Sequence, residues 1–194
     1  MNKAELRKHY LSKRNALDAN SFVLRNEQIK DLFLAYFHDF RVEAIHTFLP
    51  ISGKNEINTN PILEALKRRN PKLKVVVSKS NLETLEMTSY LLQENTVLEV
   101  NRWGIPEPVE GVPFDDVKID IILIPLLIFD KSGHRVGYGK GFYDRFWKKC
   151  RPGALKVGLC LEPPVHSIPD TDPNDVMMNY CVTPERVYSF VRPL

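Results

Sequence analysis

Cysteine is scarce in this chain. Only Cys150, Cys160 and Cys181 occur among 194 residues, and none falls in a Cys-x-x-Cys pair. An odd count without paired spacing argues against a disulfide framework and for reduced thiols in a cytoplasmic setting. The five histidines are scattered, with no His-Glu-x-x-His, so a zinc site is not expected either. Long apolar runs are also missing. The longest, Ile121 to Phe129, contains Pro125 and is far too short to span a bilayer, so no membrane role is expected. The opening Met-Asn-Lys-Ala-Glu-Leu-Arg-Lys lacks the apolar core of a secretory leader. Neither sign of charge dominates: 27 basic against 24 acidic residues leave a formal charge of +3. That balance gives no argument for nucleic acid, which usually meets a concentrated basic patch, but it suits a small anionic substrate.

What is present is a globular mixture, 43% hydrophobic and 26% charged, with no repeat, low-complexity tract or linker. The length suits one domain over residues 1–194, and a monomer is expected. Leu6, Tyr10 and Leu17 recur at helical spacing, as do Phe22, Ile29, Leu32, Phe33, Tyr36 and Phe37, with capping residues between Asp18 and Ser21. Strands are expected at Ala44–Leu49, Leu73–Val77, Asp120–Ile124, Val157–Leu161 and, at the end, Tyr180–Thr183. Asn60-Pro61 reads as an N-cap followed by proline in the first helical position, opening a helix to Arg69. Phe142 to Lys149 reads as a short helix. Residues 85–100 fit no one period, and Asn101–Pro113, Lys131–Gly141 and the proline-rich 163–173 read as loops. Strands alternating with helices predict an α/β fold with a largely parallel central sheet flanked by helices. The near-continuous apolar strand Asp120–Ile124 belongs at its centre.

Glycine is sparse too, nine residues, yet four fall between Gly133 and Gly141. The segment Gly133-His-Arg-Val-Gly-Tyr-Gly-Lys-Gly-Phe-Tyr-Asp-Arg145 follows a buried strand and leads into a helix. Glycines let a ligand approach the backbone closely, and successive N–H groups form a nest for phosphate oxygens. Arg135, Lys140 and Arg145 add cations, and Asp144 adds an acceptor suited to Mg²⁺. The spacing is neither a Walker loop nor Gly-x-Gly-x-x-Gly, and an ordinary glycine turn with solvated charges is the alternative. Lys3, Arg7 and Arg14 share one helical face with Tyr10, bordering the buried stripe. For this face, spacing alone favours snorkelling over a turn toward an anion.

Together these segments resemble the 5-formyltetrahydrofolate cyclo-ligase (methenyltetrahydrofolate synthetase) family over nearly the whole chain. The resemblance runs from Lys3-Ala-Glu-Leu-Arg7 through Phe48-Leu49-Pro50, Asn55-Glu56-Ile57-Asn58-Thr59 and Trp103-Gly-Ile-Pro-Glu-Pro108. It continues through Pro125-Leu-Leu-Ile-Phe-Asp130, the glycine block, Ile168-Pro169, Asn174-Asp175 and Val182-Thr183. It implies a fold like that of the ribose-phosphate isomerases and coenzyme A transferases. The implied reaction is the conversion of 5-formyltetrahydrofolate to 5,10-methenyltetrahydrofolate with ATP and Mg²⁺, releasing ADP and phosphate. Phosphorylation of the formyl oxygen would let N10 attack the activated carbon, so positioning and charge neutralisation would carry catalysis.

By resemblance, Lys3 and Arg7 reach the phosphates, with Lys140 and Arg145 also in the catalytic set. Arg135, Val136, Gly137, Tyr138, Gly139, Lys140, Gly141, Phe142 and Tyr143 cradle the triphosphate. Asp144 and Asp175 hold the metal. Leu49, Glu56 and Trp103 meet the folate, with Arg7, Tyr138, Phe142 and Met87 as further pocket candidates. The chain departs from the family pattern at Asn174, where a histidine is common, and at Glu162-Pro163-Pro164, where a glutamine is common. Read from the residues alone, two other functions stay open. One is a phosphate-binding sugar or coenzyme A enzyme of the same fold. The other is a nucleic-acid module using Lys3, Arg7, Arg14 and the run Lys67-Arg68-Arg69, although cations at a helix C-terminus are favoured by the dipole in any case. A folate-storage protein is a third, weaker reading.

Overall fold

The computed structural model describes residues 1–191. Two helices open the chain, α1 (Lys3–Asn15) and α2 (Ala19–Tyr36). A capping box starts α1: the Asn2 side chain accepts from the Glu5 N–H while Glu5 reaches back to the Asn2 N–H. The Asp18 carboxylate caps α2 by accepting from the Ser21 N–H at 2.9 Å. Strand β1 (Ala44–His46), helix α3 (Asn60–Arg69) and strands β2 (Lys74–Asn81) and β3 (Glu86–Leu91) follow. Next come β4 (Leu98–Val100), β5 (Pro106–Pro108), β6 (Ile121–Pro125), β7 (Ile128–Phe129) and β8 (Arg135–Val136). The chain ends with α4 (Phe142–Phe146), continued by a 3-10 turn at Trp147–Lys149, and with β9 (Leu155–Leu159), β10 (Tyr180–Val182) and β11 (Val187–Ser189).

The main sheet has seven strands in the order β11-β10-β9-β6-β1-β2-β3. The five inner strands run parallel, while β3 and β11 are antiparallel edges. Strand β6 lies fourth of seven, as its apolar run predicts. Ile121, Ile122, Leu123 and Ile124 are all at most 1% exposed. Alternate residues feed two cores. Ile121, Leu123, Val75 and Ile45 face α2 and α3, meeting Ile29, Phe33, Phe37, Ile62 and Leu63. Ile122, Ile124 and Val76 face Phe129, Phe146, Trp147 and Met178 on the other side. Each fully buried aliphatic or aromatic side chain stabilises by about 1.5–3 kcal/mol. All three cysteines are free thiols. Cys160 and Cys181 are fully buried in the second core, and burial pushes the Cys160 thiol up to about 12.

Some boundaries differ from expectation. Strand β1 stops at His46, and Phe48 and Leu49 leave the sheet to border the cleft described below. Strand β9 begins two residues earlier than expected, where the Leu155 N–H donates to Asp120 O. The ambiguous 85–100 region makes β3 and β4, and the expected loop 101–113 contains β5, paired antiparallel with β4. Likewise the Lys131–Gly141 loop contains β8, paired with β7. Thr59, not Asn60, is the N-cap of α3. Its hydroxyl takes no part in capping because it is engaged with Phe48 O and Thr47.

Helix α1 stands apart from α2 and α3. Its Leu6 is buried with Ile128, Val136 and Ile168, against the β7–β8 hairpin. Below that hairpin the buried Asp130 carboxylate accepts from the N–H groups of Ser132, His134 and Ile168, tying the glycine segment to the late proline-rich loop. The hairpin and α1 therefore lie together beside the carboxyl ends of the parallel strands. Among the described residues, no helix is long and apolar enough to cross a membrane.

Candidate active site

A cleft of about 630 Å³ opens beyond the carboxyl ends of β1, β2 and β6. The chain order reverses between β1 and β6, and such switch points form crevices in open α/β sheets. Phe48 follows β1, Ser78 and Ser80 come from β2, and Pro125 closes β6; all four line the cleft. Its volume suits a drug-sized ligand.

One wall is the glycine segment, residues 135–144. Gly139 and Gly141 have φ of +86° and +66°, a region that L side chains rarely adopt. A Cβ on Gly139 would come within 2.8–2.9 Å of the Arg7 guanidinium. Only glycine lets the loop pass so close to that cation. Among the described residues, the backbone N–H groups of Tyr138 to Tyr143 have no protein acceptor. Open N–H groups, left-handed glycines and nearby cations make a cradle that fits a polyphosphate. Lys3 and Arg7 of α1 reach the same cleft, and Arg7 Nε donates to Gly137 O at 2.9 Å.

The two expected metal acids also line the cleft. Asp144 Oδ1 accepts from Arg135 Nη2 at 2.8 Å and from the Val176 N–H at 3.1 Å. Asp175 is ion-paired with Lys3 and accepts from the Asp172 N–H at 2.6 Å. Among the described residues, no group of three His, Cys, Asp or Glu side chains could enclose a metal ion. Two carboxylates leave most of an octahedral shell to phosphate oxygens and water. That donor set fits Mg²⁺ carried on a nucleotide.

The far wall is more apolar and holds the expected folate contacts. Leu49, Met87, Trp103 and Phe142 line it, with Trp103 edge-on to Phe142 at 5.8 Å between ring centroids. Lys140 Nζ stands 5.7 Å from the Trp103 ring centroid, so this cation links the glycine segment to the aromatic side chains. Glu56 is buried, with its Oε2 accepting from the Ile51 N–H at 2.7 Å. Its Oε1 accepts from the Tyr138 hydroxyl at 2.5 Å. Burial, then the Glu56 contact, pushes the Tyr138 hydroxyl up to about 12, so it stays a proton donor through neutral pH.

Thus Lys3, Arg7, Leu49, Glu56, Trp103, residues 135–144 and Asp175 meet in one cleft. Arg145 does not line it. Its guanidinium donates to Leu85 O at 2.8 Å and to Lys140 O, bracing the glycine loop from behind. Arg135 borders the cleft but is tied down, donating to Val176 O at 2.7 Å and lying 4.4 Å from the Trp147 ring centroid. The family departures have local reasons. Asn174 holds its own loop by donating to Asp172 Oδ1, and Glu162 is buried between Lys13 and Arg25.

Sequence reasoning underrated Arg14, which is 8% exposed and not snorkelling. It overlooked His46, Ser78 and Glu107, which also line the cleft. His46 Nε2 meets Ser78 Oγ at 2.8 Å. Burial lowers the imidazole to about 3, so it is neutral. A lone histidine or serine in a strand carries no periodic signal. Arg14, however, shares a seven-residue spacing with Arg7, and Glu107 lies within the Trp-Gly-Ile-Pro-Glu-Pro block.

Comparison with known proteins decides the family. Residues 1–184 match the family model described as the 5-formyltetrahydrofolate cyclo-ligase family. The chain belongs to this family. A Schizosaccharomyces pombe relative named "Probable 5-formyltetrahydrofolate cyclo-ligase" is 35% identical over 52% of this chain and 57% of that protein. The Escherichia coli 5-formyltetrahydrofolate cyclo-ligase is 30% identical over 69% of this chain and 72% of its own length. The match to the S. pombe protein therefore spans little more than half of that relative. The solved Aquifex aeolicus 5,10-methenyltetrahydrofolate synthetase superposes on all of this chain and 96% of that one, with a TM-score of 0.75 and 29% identity. The α/β architecture with a mostly parallel sheet is thus a family property.

Proposed function

We propose that this cyclo-ligase family member converts 5-formyltetrahydrofolate to 5,10-methenyltetrahydrofolate, consuming ATP with Mg²⁺ and releasing ADP and phosphate. The observation that supports the reading is the shared cleft, which the cationic glycine segment lines together with Glu56 and Trp103. A reaction that joins a phosphoryl group to a folate formyl oxygen needs both ligands in one enclosure.

Lys3, Arg7 and Lys140 bring positive charge to the triphosphate, and the open N–H groups of the glycine segment receive its oxygens. Asp144 and Asp175 are the residues that would hold Mg²⁺, which would supply charge neutralisation at the phosphates. Lys3 and Asp175 are paired in this structure, and a bound nucleotide phosphate would compete with Asp175 for that lysine. Trp103 and Phe142, set edge-on to each other, give the ring system apolar surface to pack against. Glu56, an acceptor on both oxygens, takes N–H groups from the pterin edge. The γ-phosphoryl passes from ATP to the formyl oxygen, and ADP leaves with the broken β–γ bond. N10 then attacks the carbon, and phosphate departs with that oxygen. Side chains position and neutralise, and none is needed as a nucleophile. In this reading the enzyme is a cytoplasmic monomer acting on a small-molecule folate.

The test is optical. Purified protein is mixed with 5-formyltetrahydrofolate and Mg²⁺, with and without ATP, at a pH where the methenyl product absorbs. Absorbance that rises only with ATP, in step with ADP release, is expected. No product despite measurable ATP binding would assign the cleft to another acceptor, and no ATP binding would remove the nucleotide reading altogether.

A further inference from the structure

We propose that Arg14 is a positioning residue for the folate end of the cleft, its buried guanidinium holding the Glu56 carboxylate and the Tyr138 hydroxyl as one unit. The proposal rests on the reading of Glu56 as a folate contact, and the test below separates the two.

Arg14 lies in the last turn of α1 with its side chain only 9% exposed, beside a Glu56 side chain 4% exposed. Burying an arginine is costly unless its charge is matched nearby. Here Nη2 donates to the Tyr138 hydroxyl at 2.5 Å, and Nη1 stands 3.8 Å from Glu56 Oε1. The guanidinium also stands 5.5 Å from the Tyr138 ring centroid. Arg14 can only donate, so the Tyr138 oxygen is an acceptor toward it. The single phenolic proton must then go to Glu56 Oε1. The direction of every bond in the triad is therefore determined, and Glu56 is left with accepting capacity alone. Such a carboxylate selects a ligand edge bearing N–H donors.

The backbone reinforces the arrangement. Asn55 Nδ2 donates to Arg14 O at 3.1 Å and to Leu17 O at 3.2 Å, fastening the loop that carries Glu56 to the end of α1. Asn55 adopts φ of +47°, a left-handed conformation held by those bonds. Arg7 and Arg14 are seven residues apart, about 10 Å along a helix. One rigid helix thus presents Arg7 to the glycine cradle and Arg14 to the Glu56 end. It sets the distance between the two binding regions.

The experiment compares Arg14→Met, Arg14→Lys, Tyr138→Phe, Glu56→Gln and the double variant Arg14→Met/Glu56→Gln, all in the full chain. Kinetics give KM for 5-formyltetrahydrofolate, calorimetry gives Mg-ATP affinity, and circular dichroism checks folding. Arg14→Met should raise the folate KM about ten-fold or more, as loss of a charged hydrogen-bond partner implies. Mg-ATP affinity should fall clearly less than folate affinity, because Arg14 meets the Tyr138 hydroxyl while the cradle uses the Tyr138 backbone N–H. Arg14→Lys keeps the charge without the fork and should recover only part of the loss. The double variant should be little worse than Glu56→Gln alone, since members of one unit are not additive. Should Arg14→Met fail to fold, Arg14→Lys and Tyr138→Phe decide, and an unchanged folate KM in both overturns the proposal. Additive penalties in the double variant, or equal losses of folate and nucleotide binding, overturn it too. If Glu56→Gln leaves the folate KM unchanged, the folate reading of Glu56 fails and the proposal falls with it. If Glu56→Gln raises KM and the Arg14 variants do not, only the positioning role fails.

Discussion

Replacing Gly139 with alanine probes the cradle most directly, because two separate penalties meet at one atom. The residue has φ of +86°, and a Cβ there would stand 2.8 Å from Arg7 Nη2 and 2.9 Å from Arg7 Cζ. Holding an L residue in left-handed backbone costs about 1–2 kcal/mol. Reduced freedom of the unfolded chain returns about 0.4–1 kcal/mol. The net loss of stability should therefore stay near or below about 1.5 kcal/mol, and the protein should fold. The collision falls on the end of a flexible side chain, so Arg7 moves and the loop does not open. A displaced Arg7 loses its bond to Gly137 O and its aim at the anion. A hydrogen bond involving a charged group is worth about 1.5–3 kcal/mol, or roughly ten- to more than a hundred-fold in affinity. Calorimetric titration of Mg-ATP into wild type, Gly139→Ala and the control Gly153→Ala measures this. Gly153 has ordinary φ and nothing within 4 Å of its added Cβ, so its variant should bind like wild type. Wild-type nucleotide affinity in a folded Gly139→Ala protein would refute both the Arg7 role and the cradle.

Lys140→Ala should weaken Mg-ATP binding and flatten its salt dependence, because a partly exposed point charge acts through the screened field; unchanged affinity would place the lysine with the aromatic wall alone. Arg145→Ala should weaken Mg-ATP binding indirectly, by releasing the loop from Leu85 O and Lys140 O, with greater protease sensitivity of residues 137–141 as its mark. Gly158→Ala should destabilise the fold by about 1–3 kcal/mol in urea melts, since its Cβ would strike Met178 Sδ and come within 2.9 Å of Leu126 Cδ2. Adding Met178→Ala should remove part of that clash. His46 is held neutral, its imidazole lowered to about 3 by burial. Between pH 6.5 and about 3 the unfolded chain therefore binds a proton that the folded chain refuses. The stability from His46 is complete above pH 6.5, and acid removes it at about 1.4 kcal/mol per pH unit. His46→Gln should lessen that acid slope in pH-dependent melts, and an identical slope would show that another group carries it.

Much of the architecture was legible because it depends on local rules. The apolar run at Ile121–Ile124 admits no place but the middle of a sheet, and Asp18–Ser21 is a capping signal that needs no partner. Short paired segments such as β4 with β5 were not legible. Three residues carry too little periodicity, and their pairing is settled by a turn and a neighbour. In the cleft, the glycine spacing marked one lining segment because positive φ is a property of single residues. Arg14 and Arg145 show the opposite case. Both are arginines beside functional segments, and composition cannot tell a cation that binds from one that braces.

The sequence by itself determined the family, the strand–helix alternation, the glycine cradle and the chemical kinds of side chain available. Those follow from residue identity and near-neighbour spacing. Only the tertiary structure decided which charges are free. It paired Lys3 with Asp175 and Arg135 with Asp144, and turned Arg145 behind the loop. It also joined Arg14 to Tyr138 across 124 residues, and Tyr138 to Glu56 across 82. Electrostatic partnership depends on distances of a few ångströms and on exclusion of water, and both exist only once α1, the Glu56 loop and the glycine segment have packed together.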